Sequence, residues 1–270
     1  MKNLNQSLSN NDLVAVLCGL PFSGTTFLSR IICGHMRIDS GFECGLLFEE
    51  SPRHFINRKK FYNWMMSHER PYNWKLTSEE MSYICDTENF YESYSRIVQK
   101  CHLFRGAKNK IVDKTPAYIY RLRNTMVKVD ETPFIVIRKQ PHFQYYSYKN
   151  RGKSIDQFIS LYQKQNKSLE RIINRPILNK RLLIVEFEDL NQNIERTIDI
   201  IFNHIKQFSQ INYDSSLMMN DIIKSTQNDI NSNKKKLRKK FDYTKEINSF
   251  EKSLSLIELK KLGSLIKVEK

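Results

Sequence analysis

The stretch "VAVLCGLPFSGTTFLSRII", Val14 to Ile32, changes character twice. Leu13 to Cys18 is an unbroken apolar run, the composition of a strand buried on both faces. Gly19 to Gly24 is a turn with glycine at each end. From Thr25 the pattern is helical as far as Cys33, and Gly34 supplies the stop. Strand, glycine-bounded turn and helix in this order aim consecutive backbone N–H groups at one point. The positive end of the helix dipole adds to them, so the turn is an anion site.

Gly19-x-x-x-x-Gly24-Thr25-Thr26 has P-loop spacing, but Thr25 stands where a P-loop carries its lysine, and Phe22 sits mid-turn. Moving a γ-phosphoryl group needs that lysine and its metal to neutralise developing charge. ATP or GTP hydrolysis is therefore not expected. Ser23, Thr25 and Thr26 still offer hydroxyl donors. The turn suits a phosphate-like group with less negative charge at its transferring end, and a sulfuryl group meets that description.

Working outward, further strands and helices alternate. "KIVDKTP" (Lys110 to Pro116), "PFIVIRKQP" (Pro133 to Pro141) and "RLLIVEFEDL" (Arg181 to Leu190) read as buried strands. "FYESYSRIVQKCHLF", "AYIYRLRNTMVKV", "SIDQFISLYQKQNKSLERII" and "NIERTIDIIFNHI" read as helices, with Ser154 capping the third. Ile38 to Trp74 reads as irregular, and Ile247 to Ile266 as an amphipathic helix. Such alternation implies an α/β fold of three layers, P-loop type, with a central parallel sheet flanked by helices. One domain over residues 1–270 is expected, with 1–11 as a flexible tail and 209–270 as a basic helical region packed on the same domain.

The chain of 270 residues carries a net charge of +15, which attracts anions or simply solvates the surface. Residues 231–270 hold twelve Lys/Arg against five Asp/Glu, centred on "KKKLRKK", Lys234 to Lys240. The polar start "MKNLNQSLSNND" has no signal-peptide core, and no window has spanning length, so a cytoplasmic location is the default expectation. Five cysteines without a C-x-x-C read as free thiols. No nucleic-acid-binding motif accompanies the charge.

"GLPFSGTTFL" resembles the 5′-phosphosulfate loop of the sulfotransferases, enzymes that use 3′-phosphoadenosine 5′-phosphosulfate (PAPS). Three more segments are similar to that family's motifs, in the expected order. "VDKTPAYIYRL" matches a segment familiar in carbohydrate sulfotransferases. "FIVIRKQPHFQYYSY" matches the 3′-phosphate-binding strand and helix, and "LLIVEFEDL" matches a strand ending in E-D-L. The resemblance spans Val14 to about Leu190 and implies PAPS as co-substrate, with no metal required.

It also implies roles. The loop Phe22, Ser23, Gly24, Thr25, Thr26 and Phe27 would hold the 5′-phosphosulfate. The family's loop cation falls on Phe22, which carries no charge, and Lys114 is the best replacement. Counting back from Pro141 and from Ser147 gives Lys139 in both cases, so Lys139 and Ser147 form the 3′-phosphate pair. Arg138 is second choice, because side chains alternate along a strand. Glu43 stands where the family's general base falls. Asp39, His35, Glu49 and Glu50 compete with it, and His54 and His102 are histidine alternatives. Glu188 and Asp189 read as structural, capping a helix that starts near Asn191.

The expected activity is sulfuryl transfer to a hydroxyl of a carbohydrate or glycoconjugate. Aromatics in "FINRKKFYNWMMSHERPYNW" are suited to stack on sugars, and Arg58, Lys59 and Lys60 to meet acidic groups, although such aromatics equally build cores. Two alternatives stay open: a nucleotide-binding scaffold of weak or no activity, and an atypical P-loop kinase. Acceptor identity and oligomeric state are not written in the motifs.

Overall fold

A computed structural model describes residues 11–69, 73–211 and 254–266. Five parallel strands form one sheet in the order β2-β3-β1-β4-β5. They are β1 (Leu13–Cys18), β2 (Ile38–Asp39), β3 (Lys110–Lys114), β4 (Phe134–Arg138) and β5 (Leu182–Glu186). Every residue of β1 is buried, as expected for the central strand of a sheet covered on both faces.

The pleat divides the core. Leu17, Ile135 and Ile137 face one layer, with α1 (Thr25–Cys33) and α10 (Ile194–Lys206) packed on it. Val16, Cys18, Phe134 and Val136 face the other. That layer holds α3 (Ser78–Cys85), α4 (Phe90–Lys100), α5 (Leu122–Met126), α6 (Pro141–Lys149) and α7 (Ile155–Ile173). A last helix, α11 (Leu256–Ile266), packs on α6 and α7, with Leu262 and Leu265 buried. Every strand points its C-terminal end to the same edge, where ligands of parallel sheets bind.

Several elements differ from the pattern reading. Gly34 closes α1 at φ −61, so no left-handed residue is needed there. The Lys108 ammonium donates to the carbonyls of Cys33 and His35 instead, at 2.7 and 2.9 Å. The "irregular" stretch contains α2 (Lys59–Met66), after two 3-10 turns, Leu46–Phe48 and Pro52–Asn57. Helix α3 starts on a capping box of Thr77 and Glu80, a T-x-x-E signal present in the sequence. "AYIYRLRNTMVKV" splits into a 3-10 helix, Pro116–Arg121, and the short α5. The helix expected near Asn191 begins earlier, as α9 (Phe187–Gln192), so Glu188 and Asp189 lie in its first turn. The short α8 (Pro176–Asn179) leads into β5.

The run Lys234–Lys240 and nearly all of the expected tail lie outside the described residues. Among the described residues no helix is long and apolar enough to cross a membrane.

Candidate active site

The loop between β1 and α1 is built on backbone geometry. Gly24 takes φ 103 and caps α1 without any side-chain bond to the first-turn N–H groups. A Cβ on Gly24 would lie 2.5 Å from the Phe187 ring, and one on Gly19 would lie 2.5 Å from the Ile137 carbonyl. Both positions therefore exclude side chains. Phe22 also adopts a positive φ, 67.

Two buried amides brace the loop. Gln165 of α7 accepts from the Leu20 N–H (3.1 Å), and Gln144 of α6 donates to the Pro21 carbonyl (3.1 Å). Ser23 is fully buried, and among the described residues its Oγ has no hydrogen-bond partner, nor have Gln144 Oε1, Gln165 Nε2 and Tyr148 OH. Buried polar atoms are almost always paired. Three of these atoms, the Ser23 and Tyr148 hydroxyls and the Gln165 amide nitrogen, can donate, and beside a helix N-terminus without a side-chain cap they fit an anionic ligand rich in acceptors.

A lysine stands at the C-terminal end of each strand flanking β1. Lys114 is buried at the end of β3, its Nζ 4.8 Å from the Phe42 ring centre. Lys139 is buried just beyond β4, its Nζ 4.7 Å from the ring centre of Phe187, the residue against which Gly24 packs. Arg138 turns the other way. Its guanidinium pairs with Glu186, its register partner on β5. The alternation of a strand end thus separates the two basic residues. Ser147 lies on α6, two turns after Lys139. Thr25 is buried, Thr26 exposed, and Phe27 half-buried against Phe187 at 6.3 Å.

A cation that sequence reasoning missed stands over Phe22. The Arg151 guanidinium carbon lies 3.9 Å from the ring centre, while Tyr148 packs edge-on against that ring at 5.1 Å. Arg151 Nη1 also donates to the Ser147 carbonyl at 3.0 Å. The signal available was the four-residue spacing of Ser147 and Arg151, one helical turn.

The segment that carries Glu43 is tied to the loop through a buried hub. Asp113 of β3 is fully buried and accepts hydroxyls of Tyr94 (2.5 Å), Tyr118 (2.8 Å) and Thr115 (2.7 Å). Burial raises its pKa, against those three bonds and the Lys114 charge. Thr115 Oγ1 in turn accepts the Gly45 N–H at 3.0 Å, and Tyr118 OH accepts the Leu47 N–H at 3.0 Å. The next residue, Pro116, accepts the Gly19 N–H at 3.2 Å. One turn therefore holds both the anion loop and the segment carrying Glu43. Burial raises the Glu43 pKa, while Lys114 and Lys60 oppose the rise.

Three of the competing bases are engaged elsewhere. His35 Nδ1 accepts the Arg37 N–H at the far end of α1, and its ring stacks on Phe202. Glu49 pairs with Arg58, and His102 Nδ1 lies 3.1 Å from the Trp74 carbonyl. His54 is exposed, 3.4 Å from Ser51 Oγ, and Glu50 is exposed. Asp39 is half-buried, accepts the Ser40 N–H and has its pKa raised by burial. Among the aromatics, Phe55 and Trp74 are core, whereas Trp64 stays half-buried, 5.0 Å from Phe42 and with the Lys60 Nζ at 4.6 Å.

These features define a parallel α/β protein with an anion-binding loop at the C-terminal edge of its central strand. The chain belongs to the sulfotransferase family, whose model matches residues 15–207. It is a PAPS-dependent sulfotransferase. The sulfotransferase domain of the olefin synthase of Synechococcus PCC 7002 is similar, with a TM-score of 0.52 at 19% identity over 78% of each chain. That of the curacin biosynthetic pathway gives 0.51 at 14% over 76% of each. At such identities the likeness concerns the fold alone. No curated protein sequence matches the chain.

Proposed function

We propose that the protein transfers a sulfuryl group from PAPS to a hydroxyl of a carbohydrate or glycoconjugate. The observation carrying this reading is the shared Thr115–Pro116 turn, which ties the anion loop and the Glu43 segment together. Group transfer needs donor and base fixed to one frame.

The donor would supply the sulfuryl group and a phosphate leaving group. The first-turn N–H groups of α1, with the hydroxyls of Ser23, Thr25 and Thr26, hold its 5′ end. Lys139 and Ser147 hold the 3′-phosphate, and Arg138 stays with Glu186. Lys114 and Arg151 stabilise the charge that grows on the leaving phosphate. Arg151 thereby stands in for the cation missing at Phe22. Glu43 takes the proton of the attacking hydroxyl, a task that suits a carboxylate whose pKa burial has raised. Trp64, close to Phe42, offers the acceptor an aromatic face with Lys60 beside it.

The test is transfer of labelled sulfate from PAPS to a glycan panel by wild type and Glu43→Gln. Turnover by wild type should fall about 10²–10⁴-fold in the variant, with binding of 3′-phosphoadenosine 5′-phosphate unchanged. Binding without transfer to any acceptor would leave a nucleotide-binding scaffold instead. Transfer only to phenols or other small molecules would overturn the carbohydrate acceptor.

A further inference from the structure

A second basic site lies apart from the loop. Between the 3-10 helix Pro116–Arg121, α5 and the C-terminal end of α7 opens a cavity of about 520 Å³. Arg121, Arg123, Arg171 and Arg175 line it, together with the largely buried Ser168 and the half-buried Tyr120. Its lining contains no Asp or Glu. Among the described residues, none of the four guanidinium groups makes an ion pair or side-chain hydrogen bond. Other arginines of the protein are paired: Arg58 with Glu49, Arg96 with Glu92, Arg138 with Glu186.

Four exposed like charges gathered on one concavity repel one another, and among the described residues that line it no acid offsets this. An anion that fills the cavity would. Guanidinium forks match the paired oxygens of phosphate and sulfate groups, and several forks converging from two walls select for more than one such group. The hollow shape favours a small molecule over a flat lipid surface or a duplex. No residue proposed to hold PAPS or to act as base lines it. Helix α7 nevertheless links the two places: Gln165 braces the loop, and Arg171 follows six residues on, about 9 Å along the axis.

We infer that this cavity is a binding site for a compact polyanion carrying at least two phosphate or sulfate ester groups, separate from the donor site. The inference goes beyond the transfer reaction and does not depend on it.

Calorimetric titration with inorganic pyrophosphate and with a trisulfated disaccharide, at fixed ionic strength of about 0.15 M, tests it without any turnover. Three proteins are compared: wild type, the double variant Arg171→Ala/Arg175→Ala, and Lys164→Ala/Lys167→Ala. The last removes the same charge from the same helix but from outside the cavity. The expected result is at least tenfold weaker binding of one or both probes to the arginine variant, with the lysine variant within twofold of wild type. Which probe responds separates phosphate from sulfate ester chemistry. No binding by wild type, equal weakening in both variants, or no weakening in the arginine variant overturns the inference. Anion binding at the loop is common to all three proteins and cancels in the comparison. Should the arginine variant fail to fold, Arg121→Ala/Arg123→Ala on the opposite wall gives the same readout.

Discussion

Replacing Arg151 by alanine removes a positive charge stacked on the loop residue that the family would make basic. The guanidinium sits 3.9 Å from the Phe22 ring centre and is exposed, so its stacking is worth about 0.5–1 kcal/mol. That stacking is present with or without nucleotide and cancels from the affinity; a charged hydrogen bond to a phosphate is worth about 1.5–3 kcal/mol when buried, and solvent at this exposed position pulls it down to about 1–2 kcal/mol. Affinity for 3′-phosphoadenosine 5′-phosphate, measured by titration calorimetry, should therefore drop about five- to thirtyfold in Arg151→Ala. The drop should shrink at high salt, because the lost partner is a solvent-exposed charge. The decisive variant is Phe22→Lys/Arg151→Ala. It returns a cation to the loop itself, so it should recover most of the lost affinity, whereas Phe22→Ala/Arg151→Ala should recover none. Wild-type affinity in Arg151→Ala, or a loss that Phe22→Lys leaves unrepaired, would show that Arg151 merely packs on the ring and that Phe22 goes uncompensated.

Lys139→Ala should weaken the same nucleotide by about 1–3 kcal/mol, while Arg138→Ala, at a guanidinium that pairs with Glu186, should leave nucleotide affinity within about twofold; the reverse order in calorimetry would move the 3′-phosphate to Arg138. For Glu43, the positive charge of Lys114 favours the ionised carboxylate, so Lys114→Ala raises the Glu43 pKa still further. The acid limb of the pH profile of kcat/KM should then shift to higher pH, and a shift to lower pH or none counts against Glu43 as base. Glu258 of α11 behaves oppositely. Burial acts to raise its pKa, but bonds from Tyr145 (2.6 Å), Ser255 and Lys149 outweigh this and hold it at about 2. A depressed carboxylate stabilises above its unfolded value of 4.5, and that stability fades as pH falls towards about 2. Glu258→Gln should accordingly lower Tm by about 2–4 °C near neutral pH, for a loss of about 1 kcal/mol. The gap from wild type should close between pH 4.5 and 2, and a gap that persists at the acid end would remove Glu258 as the titrating group.

The parallel sheet and its anion loop were legible because their signals are local. β1 matches its apolar run residue for residue, since a strand buried on both faces tolerates little else. The Ser154 cap of α7 was readable for the same reason: a capping bond spans only three residues. That Arg138 and Lys139 meet different neighbours, Glu186 and Phe187, was legible because strand alternation is a period of two. Boundaries fared worse where neighbours compete, as in the 3-10 helix after Pro116, which the Tyr118 bond to Asp113 holds down.

Long-range contacts escape such reading. Nothing near Phe22 announces Arg151, and nothing near Arg121 announces Arg171, because each pair meets only once α6 and α7 are docked. Asp113 reads as one acid in a motif; folded, it gathers three hydroxyls and through Thr115 places the segment of Glu43. Local periodicity is enough to specify strand, turn and helix, and hence where an anion can sit. Which charges surround that anion depends on side chains brought together by packing, and packing is a property of the whole chain.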